Sequence, residues 1–138
     1  MFENKTTDAL LSLLAMTALA DKRLYASEID SFVRAGIRLQ SNQGIEDEVT
    51  EPKLLMWFEL NRDKLKAQMR TPGFESWFED CVENLMSVKG KPKILEAMCQ
   101  ISRADDDLHV GEIALIKLTA NIWNVSVPAL MHEPFAQA

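Results

Sequence analysis

Apolar residues recur at intervals of three and four along most of the chain, which is the spacing of one buried face of an α-helix. This pattern predicts six helices, the first at about 7–19 and the sixth at about 112–123, with a short seventh capped by Ser126. The sixth is apolar on most sides, so we expect it to be the central helix. No stretch predicts a strand, and the fold class expected is all-α, with six to seven helices in one domain spanning residues 1–138.

The predicted boundaries follow from helix-start signals in the sequence. Ser27 and Asp30 resemble a capping box at the start of the second helix, and Pro52 is tolerated in the first turn of the third. "TPGF" and "KGKP" separate the third, fourth and fifth helices, and 40–52 forms a polar connection. The residues predicted to face the core are Leu10, Leu11, Leu14, Ala18, Ile29, Phe32, Val33, Ile37, Leu39, Leu55, Trp57, Phe58, Leu60, Leu65, Trp77, Phe78, Val82, Leu85, Met86, Ile94, Leu95, Met98 and Ile101.

Composition limits the kinds of partner this chain can have. A length of 138 residues is enough to bury a substantial core, and the net charge of −6 disfavours nucleic acid and anionic lipid surfaces. No apolar run is long enough to span a bilayer, so direct membrane insertion is not expected. A protein partner of unknown identity is expected, and a homodimer remains open.

Two ten-residue segments repeat each other at an offset of 84 residues. "ADKRLYASEI" at 20–29 aligns with "ADDDLHVGEI" at 104–113, and each carries Ala-Asp, a leucine three positions after the aspartate, and a glutamate four positions later. The flanks agree as well, because Leu10, Leu11 and Leu14 fall on Ile94, Leu95 and Met98, and Phe32 falls on Ile116. We therefore predict two pseudo-repeated helix-turn-helix units, each with an acidic turn.

This duplicated pattern in a helical chain of this size resembles the tellurite-resistance protein B (TerB-like) family. The resemblance covers most of the chain, although Lys22 and Asp106 stand where the family usually has a glycine. It implies a helical fold, a role in tellurite and chemical stress, divalent-metal binding through the acidic positions, protein interaction and no enzymatic activity.

The second acidic turn has the chemistry of a hard-cation site. Asp105 and Asp107 are two residues apart in a turn, Glu112 can fold back towards them, and Ca²⁺ takes oxygen ligands of this kind. The first turn offers Asp21 and Glu28 with two cationic residues between them. We therefore predict a divalent cation, Ca²⁺ first, held mainly by the second turn; whether the first turn lies close enough to contribute is not settled by spacing.

Two alternatives stay open for these acidic residues. The aspartates can simply accept backbone N–H groups in the turn, and each glutamate can favour the dipole of the helix it starts. The chain would then be a protein-interaction domain without metal. An enzyme using the carboxylates with His109 is disfavoured, because no nucleophile or cofactor loop is visible.

The compartment depends on how the apolar run at 9–20 is interpreted. It ends in Ala18-Leu19-Ala20, a pattern typical of signal-peptide cleavage, but its counterpart near residue 100 cannot be a targeting segment. Glu3 and Asp8 also give the start an acidic character. We predict an intact N-terminus, a cytoplasmic location, and reduced, partly buried thiols at Cys81 and Cys99.

Overall fold

The computed structural model of this protein describes residues 5–20, 26–43, 49–86, 90–103 and 110–126. Within these ranges the chain forms six α-helices and no strand, as expected from the apolar spacing. They are α1 (Lys5–Leu19), α2 (Ala26–Gln43), α3 (Glu51–Met69), α4 (Phe74–Glu83), α5 (Lys91–Ser102) and α6 (Val110–Trp123). The predicted seventh helix falls beyond residue 126, outside the described residues.

The starts of α3 and α5 follow from local chemistry. Thr50 is the N-cap of α3, and its side-chain oxygen accepts a hydrogen bond from the backbone N–H of Lys53 at 3.4 Å. Pro52 lies in the first turn of α3, where a missing N–H costs nothing. Gly90 precedes α5 with φ of 76°, a left-handed conformation that glycine adopts without a steric penalty. Both predicted start signals, Pro52 and the "KGKP" break, are confirmed.

The centre of the bundle is α1, which contacts each of the other five helices. All seven side chains from Leu13 to Leu19 are buried, so its second half is enclosed on every side. The prediction that α6 is the central helix is wrong, because Gly111, Ala114 and Lys117 of α6 are exposed. The apolar run that suggested a targeting segment is therefore the core helix of this domain.

An aromatic cluster joins α2 to α3. The ring of Phe32 stacks on Trp57 at a centroid distance of 6.0 Å and meets Phe58 at 5.2 Å. All three side chains are at most 3% exposed. Such pairs add a modest stabilisation beyond the apolar area that they bury, and in this bundle they fix α2 against α3.

Four residues predicted to face the core are exposed instead. Ile37, Leu55, Leu60 and Met86 have exposed fractions of 39%, 40%, 61% and 46%. The buried stripe of α3 contains Leu54, Trp57, Phe58 and Leu65. Leu55 and Leu60 lie outside this stripe, because each residue turns the helix by roughly 100°. α2 also extends to Gln43, so the connection after it is shorter than predicted.

Other predicted core positions are confirmed, although Ile29 and Trp77 are half-buried rather than buried. Among the described residues, no helix combines the length and the apolar character needed to cross a membrane.

Candidate cation site at the junction of the two helical units

The helix boundaries follow the same offset as the sequence repeat. α2 begins at Ala26 and α6 at Val110, 84 residues later, and each follows a helix that ends shortly before an acidic segment. The aligned core residues are equivalent in burial as well. Leu10, Leu11, Leu14 and Phe32 in the first unit, and Ile94, Leu95, Met98 and Ile116 in the second, are all 2% exposed or less. The first unit is α1 with α2, and the second is α5 with α6.

Two glutamates occupy equivalent, fully buried positions in these units. Glu28 is the third residue of α2 and Glu112 the third residue of α6, and both side chains are 0% exposed. Burying an ionised carboxylate costs several kcal/mol, to order of magnitude, unless donors or an opposite charge compensate. The first turn of a helix supplies part of that compensation, through its unpaired N–H groups and the positive end of the helix dipole.

The two units approach each other at Ala20, just after α1, and Gly111, at the start of α6. A Cβ atom on Gly111 would lie 3.1 Å from the carbonyl oxygen of Ala20, closer than ordinary van der Waals contact. Glycine therefore allows the start of α6 to approach the end of α1. Ala20 directly precedes the first acidic turn, and Gly111 closely follows the second. The structure thus places the first turn of α6 against the residue that follows α1.

Only part of the predicted ligand set can be located. Asp21, Asp105 and Asp107 lie outside the described residues, as does His109, whereas Glu28 and Glu112 are described and buried. Within the described ranges, no three His, Cys, Asp or Glu side chains come together in a way that could hold a metal ion. Of the predicted ligands, the structure therefore describes the two glutamates, each in the first turn of its own helix.

The two cysteines are more buried than the sequence suggested. Cys81 is 8% exposed and Cys99 0%, and neither forms a disulfide. Burial raises the pKa of the Cys81 thiol to about 11 and that of the Cys99 thiol to about 12. Both groups are therefore protonated and poorly nucleophilic at neutral pH.

The structure also shows a cleft that the sequence did not reveal. It lies between α1 and α4, and its lining residues include Asp8, Trp77 and Asp80. The indole N–H of Trp57 donates to a carboxylate oxygen of Asp8 at 2.9 Å, which ties this rim to α3. The residues involved are 49 and 72 positions apart in the chain, so no local spacing could have indicated the cleft.

Comparison with known proteins gives one family. A sequence profile described as Tellurite resistance protein TerB matches residues 7–131. This match contains all of α2 to α6, both acidic turns and α1 from its third residue onward. No curated protein and no solved structure matches the chain.

Proposed function

Because the chain belongs to the tellurite resistance protein TerB family, we propose that it is a non-catalytic, cytoplasmic stress-response module that binds a divalent cation. Ca²⁺ is the first choice of ion. Asp105, Asp107 and Glu112 are its main ligands, and Asp21 and Glu28 assist from the neighbouring turn. The observation that carries the proposal is the complete burial of Glu28 and Glu112 at equivalent positions of the two units.

The physical case begins with the cost of burying two carboxylates. A side chain that only accepts hydrogen bonds from the N–H groups at a helix start can do so at the protein surface. This role alone therefore does not explain why both glutamates are completely buried. A cation bound near Glu112 would add a favourable interaction to those that this carboxylate already makes within the protein. Hard cations take about six to eight oxygens, and carboxylates, backbone carbonyls and water can supply them together.

The second unit is the stronger candidate because of its charge. Its turn has aspartates at 105, 106 and 107, whereas the first turn has Lys22 and Arg23 at the positions equivalent to 106 and 107. Cationic side chains at these positions repel a metal ion and compete with it for carboxylates. The contact between Ala20 and Gly111 supports a contribution from the first turn to a site centred on the second.

Thermal unfolding with added Ca²⁺, Mg²⁺ or Mn²⁺ tests this proposal. Free ion at 100 times the dissociation constant should stabilise the fold by about 2.7 kcal/mol. The double substitution Asp105→Asn/Asp107→Asn should remove most of this stabilisation. A matched control is Asp63→Asn, which removes one charge from a side chain that is 89% exposed on α3. The proposal fails if none of the three ions stabilises the protein, or if the double variant responds as the control does.

A metal-independent protein-interaction domain is the second candidate, favoured by the outer face of α3. Met56 and Leu60 lie one helical turn apart there, with exposed fractions of 58% and 61%. Large apolar side chains that share an exposed face are typical of contact surfaces when they form a continuous patch. On this view the cations change nothing, while Met56→Ser/Leu60→Ser reduces self-association measured by sedimentation equilibrium. If the wild type is monomeric at high concentration, the partner of this face is a different protein.

A further inference from the structure

A small cleft lies between α1 and α4. Its volume is about 220 Å³, and it is lined by Asp8, Ala9, Ser12, Trp77, Asp80, Cys81 and Asn84. Pockets that enclose a drug-sized molecule are larger, at roughly 300–1,000 Å³. The cleft is therefore the size of a single side chain rather than of a drug-sized molecule.

The lining combines negative charge with an aromatic surface. Asp8 contributes a carboxylate from α1 and Asp80 one from α4, while Asn84 adds an amide and Trp77 a half-buried indole ring. The hydrogen bond from the Trp57 indole holds one oxygen of Asp8, so this carboxylate is positioned while its other oxygen can still accept. None of the described residues that line the cleft is basic.

The helix that forms one wall of the cleft is acidic over its whole length. α4 contains Glu75, Glu79, Asp80 and Glu83 and has no lysine or arginine. Glu75, Glu79 and Glu83 lie outside the cleft lining. The potential along this helix is therefore negative beyond the cleft itself, which would attract a basic chain and hold its charges on either side.

We propose that this cleft binds one arginine side chain from a basic segment of a partner protein. The guanidinium group is planar and has five N–H donors, so it can donate to carboxylates on both walls while its face stacks on an indole. A lysine ammonium lacks that planar face and is more strongly hydrated. The cleft residues are distinct from the acidic turns, so this interaction is independent of the proposed cation site.

The three tryptophans supply the readout. The indole N–H of Trp57 bonds Asp8 at the cleft, Trp77 lines the cleft, and the indole N–H of Trp123 donates to the buried carbonyl of Val82 at 3.0 Å. The probe is the capped peptide acetyl-Lys-Gly-Arg-Gly-Lys-amide, titrated into the full chain with a chelator present to remove divalent ions. The indole N–H resonances of Trp77 and Trp57 should shift in a saturable way, while that of Trp123 stays near its starting position.

Matched peptides define the ligand. Replacing the central arginine of the probe by glutamine should weaken binding by about tenfold or more, since charge-assisted hydrogen bonds to both carboxylates are lost. A central lysine should give an intermediate affinity. Equal affinity for the glutamine peptide would overturn the proposal. So would free agmatine binding as tightly as the peptide, because the ligand would then be a small amine rather than a protein segment.

Two variants of the protein distinguish binding in the cleft from attraction to the overall negative charge of α4. Asp80→Asn, at the cleft, should weaken binding of the arginine peptide by about tenfold. Glu75→Gln removes the same charge from the same helix at an exposed position that does not line the cleft. Glu75→Gln should weaken binding of the arginine peptide by only about twofold, because it reduces a long-range attraction that salt screens. Equal effects of the two substitutions, or a Trp77 resonance that does not move, would contradict the assignment.

Discussion

The helix pairs α1–α2 and α5–α6 share helix starts and buried positions at the 84-residue offset, but the segments between their helices differ in charge. Their second helices, α2 and α6, begin 84 residues apart. Each of these helices buries a glutamate at its third position and a large apolar residue four positions later, Phe32 in α2 and Ile116 in α6. Their turns differ, with Lys22 and Arg23 in one and Asp106 and Asp107 in the other. The two units therefore share the burial of these residues, whereas the charge that distinguishes their turns lies in the segments between the helices.

The solvent-facing side of the units differs in the same way. Arg34 and Asp30 of α2 form an ion pair at 3.0 Å, with side chains 78% and 58% exposed. In α6, Ala114 is equivalent to Asp30, and Leu118 is equivalent to Arg34. An exposed pair of this kind contributes only about 0.3–0.5 kcal/mol, so its absence from the second unit costs little. At these two positions the units therefore differ with little effect on stability.

The largest expected effect comes from the paired core residues. Phe32→Ala should lower the free energy of unfolding by about 3–5 kcal/mol, and Ile116→Ala by about 2–5 kcal/mol, because each leaves a cavity in a fully buried site. Phe32 also loses its contacts with Trp57 and Phe58. Urea unfolding measures both changes. A loss below about 1 kcal/mol for either residue would show that the two units are not packed equivalently.

A second test uses the thiol that only the second unit has. Cys99 lies in α5 where α1 has Ala15, and burial raises its pKa from 9.0 to about 12. The unfolded thiol loses its proton above about pH 9 while the folded one keeps it, so stability is complete below pH 9 and falls between pH 9 and 12.

The comparison of wild type with Cys99→Ala isolates this contribution. Between pH 8 and 10.5, the wild type should lose roughly 1–2 kcal/mol more stability than the variant, since one pKa unit corresponds to about 1.4 kcal/mol. Urea unfolding at several pH values gives the two curves. Parallel curves would mean that the folded state does not suppress ionisation of this thiol.

The smallest effects are expected where one unit has a buried hydroxyl and the other an alanine. Thr119 donates to the carbonyl of Leu115 at 2.8 Å, and Ser102 to that of Met98 at 2.9 Å, each four residues back in its own helix. The first unit has Ala35 and Ala18 at these positions. Thr119→Ala and Ser102→Ala should each change stability by about 1 kcal/mol or less, because the hydroxyl and its local partner are lost together. Thermal unfolding measures this, and a large loss would reveal a role beyond the helix.

Much of the fold could be predicted because its signals are local. Pro52 and the glycine before α5 set helix starts, and the three- and four-residue spacing of apolar residues identified most of the core. Leu55 and Leu60 were misplaced because apolar character alone does not show which side of a helix another helix covers. Leu54, which is 0% exposed, was missed for the same reason.

The candidate sites were harder to predict because they depend on distant contacts. The repeat indicated Glu28 and Glu112, yet neither their burial nor the approach of Gly111 to Ala20 could follow from spacing. The cleft between α1 and α4 depends on residues about 70 positions apart. Folding brings such groups together through the packing of helices, which a local pattern does not encode.

Calorimetric titration of Ca²⁺ into the wild type, Glu112→Gln and Glu28→Gln tests most directly whether the second unit holds the ion. Glutamine keeps the size of each buried side chain and removes its charge. We expect the wild type to bind, Glu112→Gln to bind about tenfold more weakly or worse, and Glu28→Gln to stay within about threefold of the wild type. No binding by the wild type, or equal losses in the two variants, would contradict the assignment of the cation to the second turn.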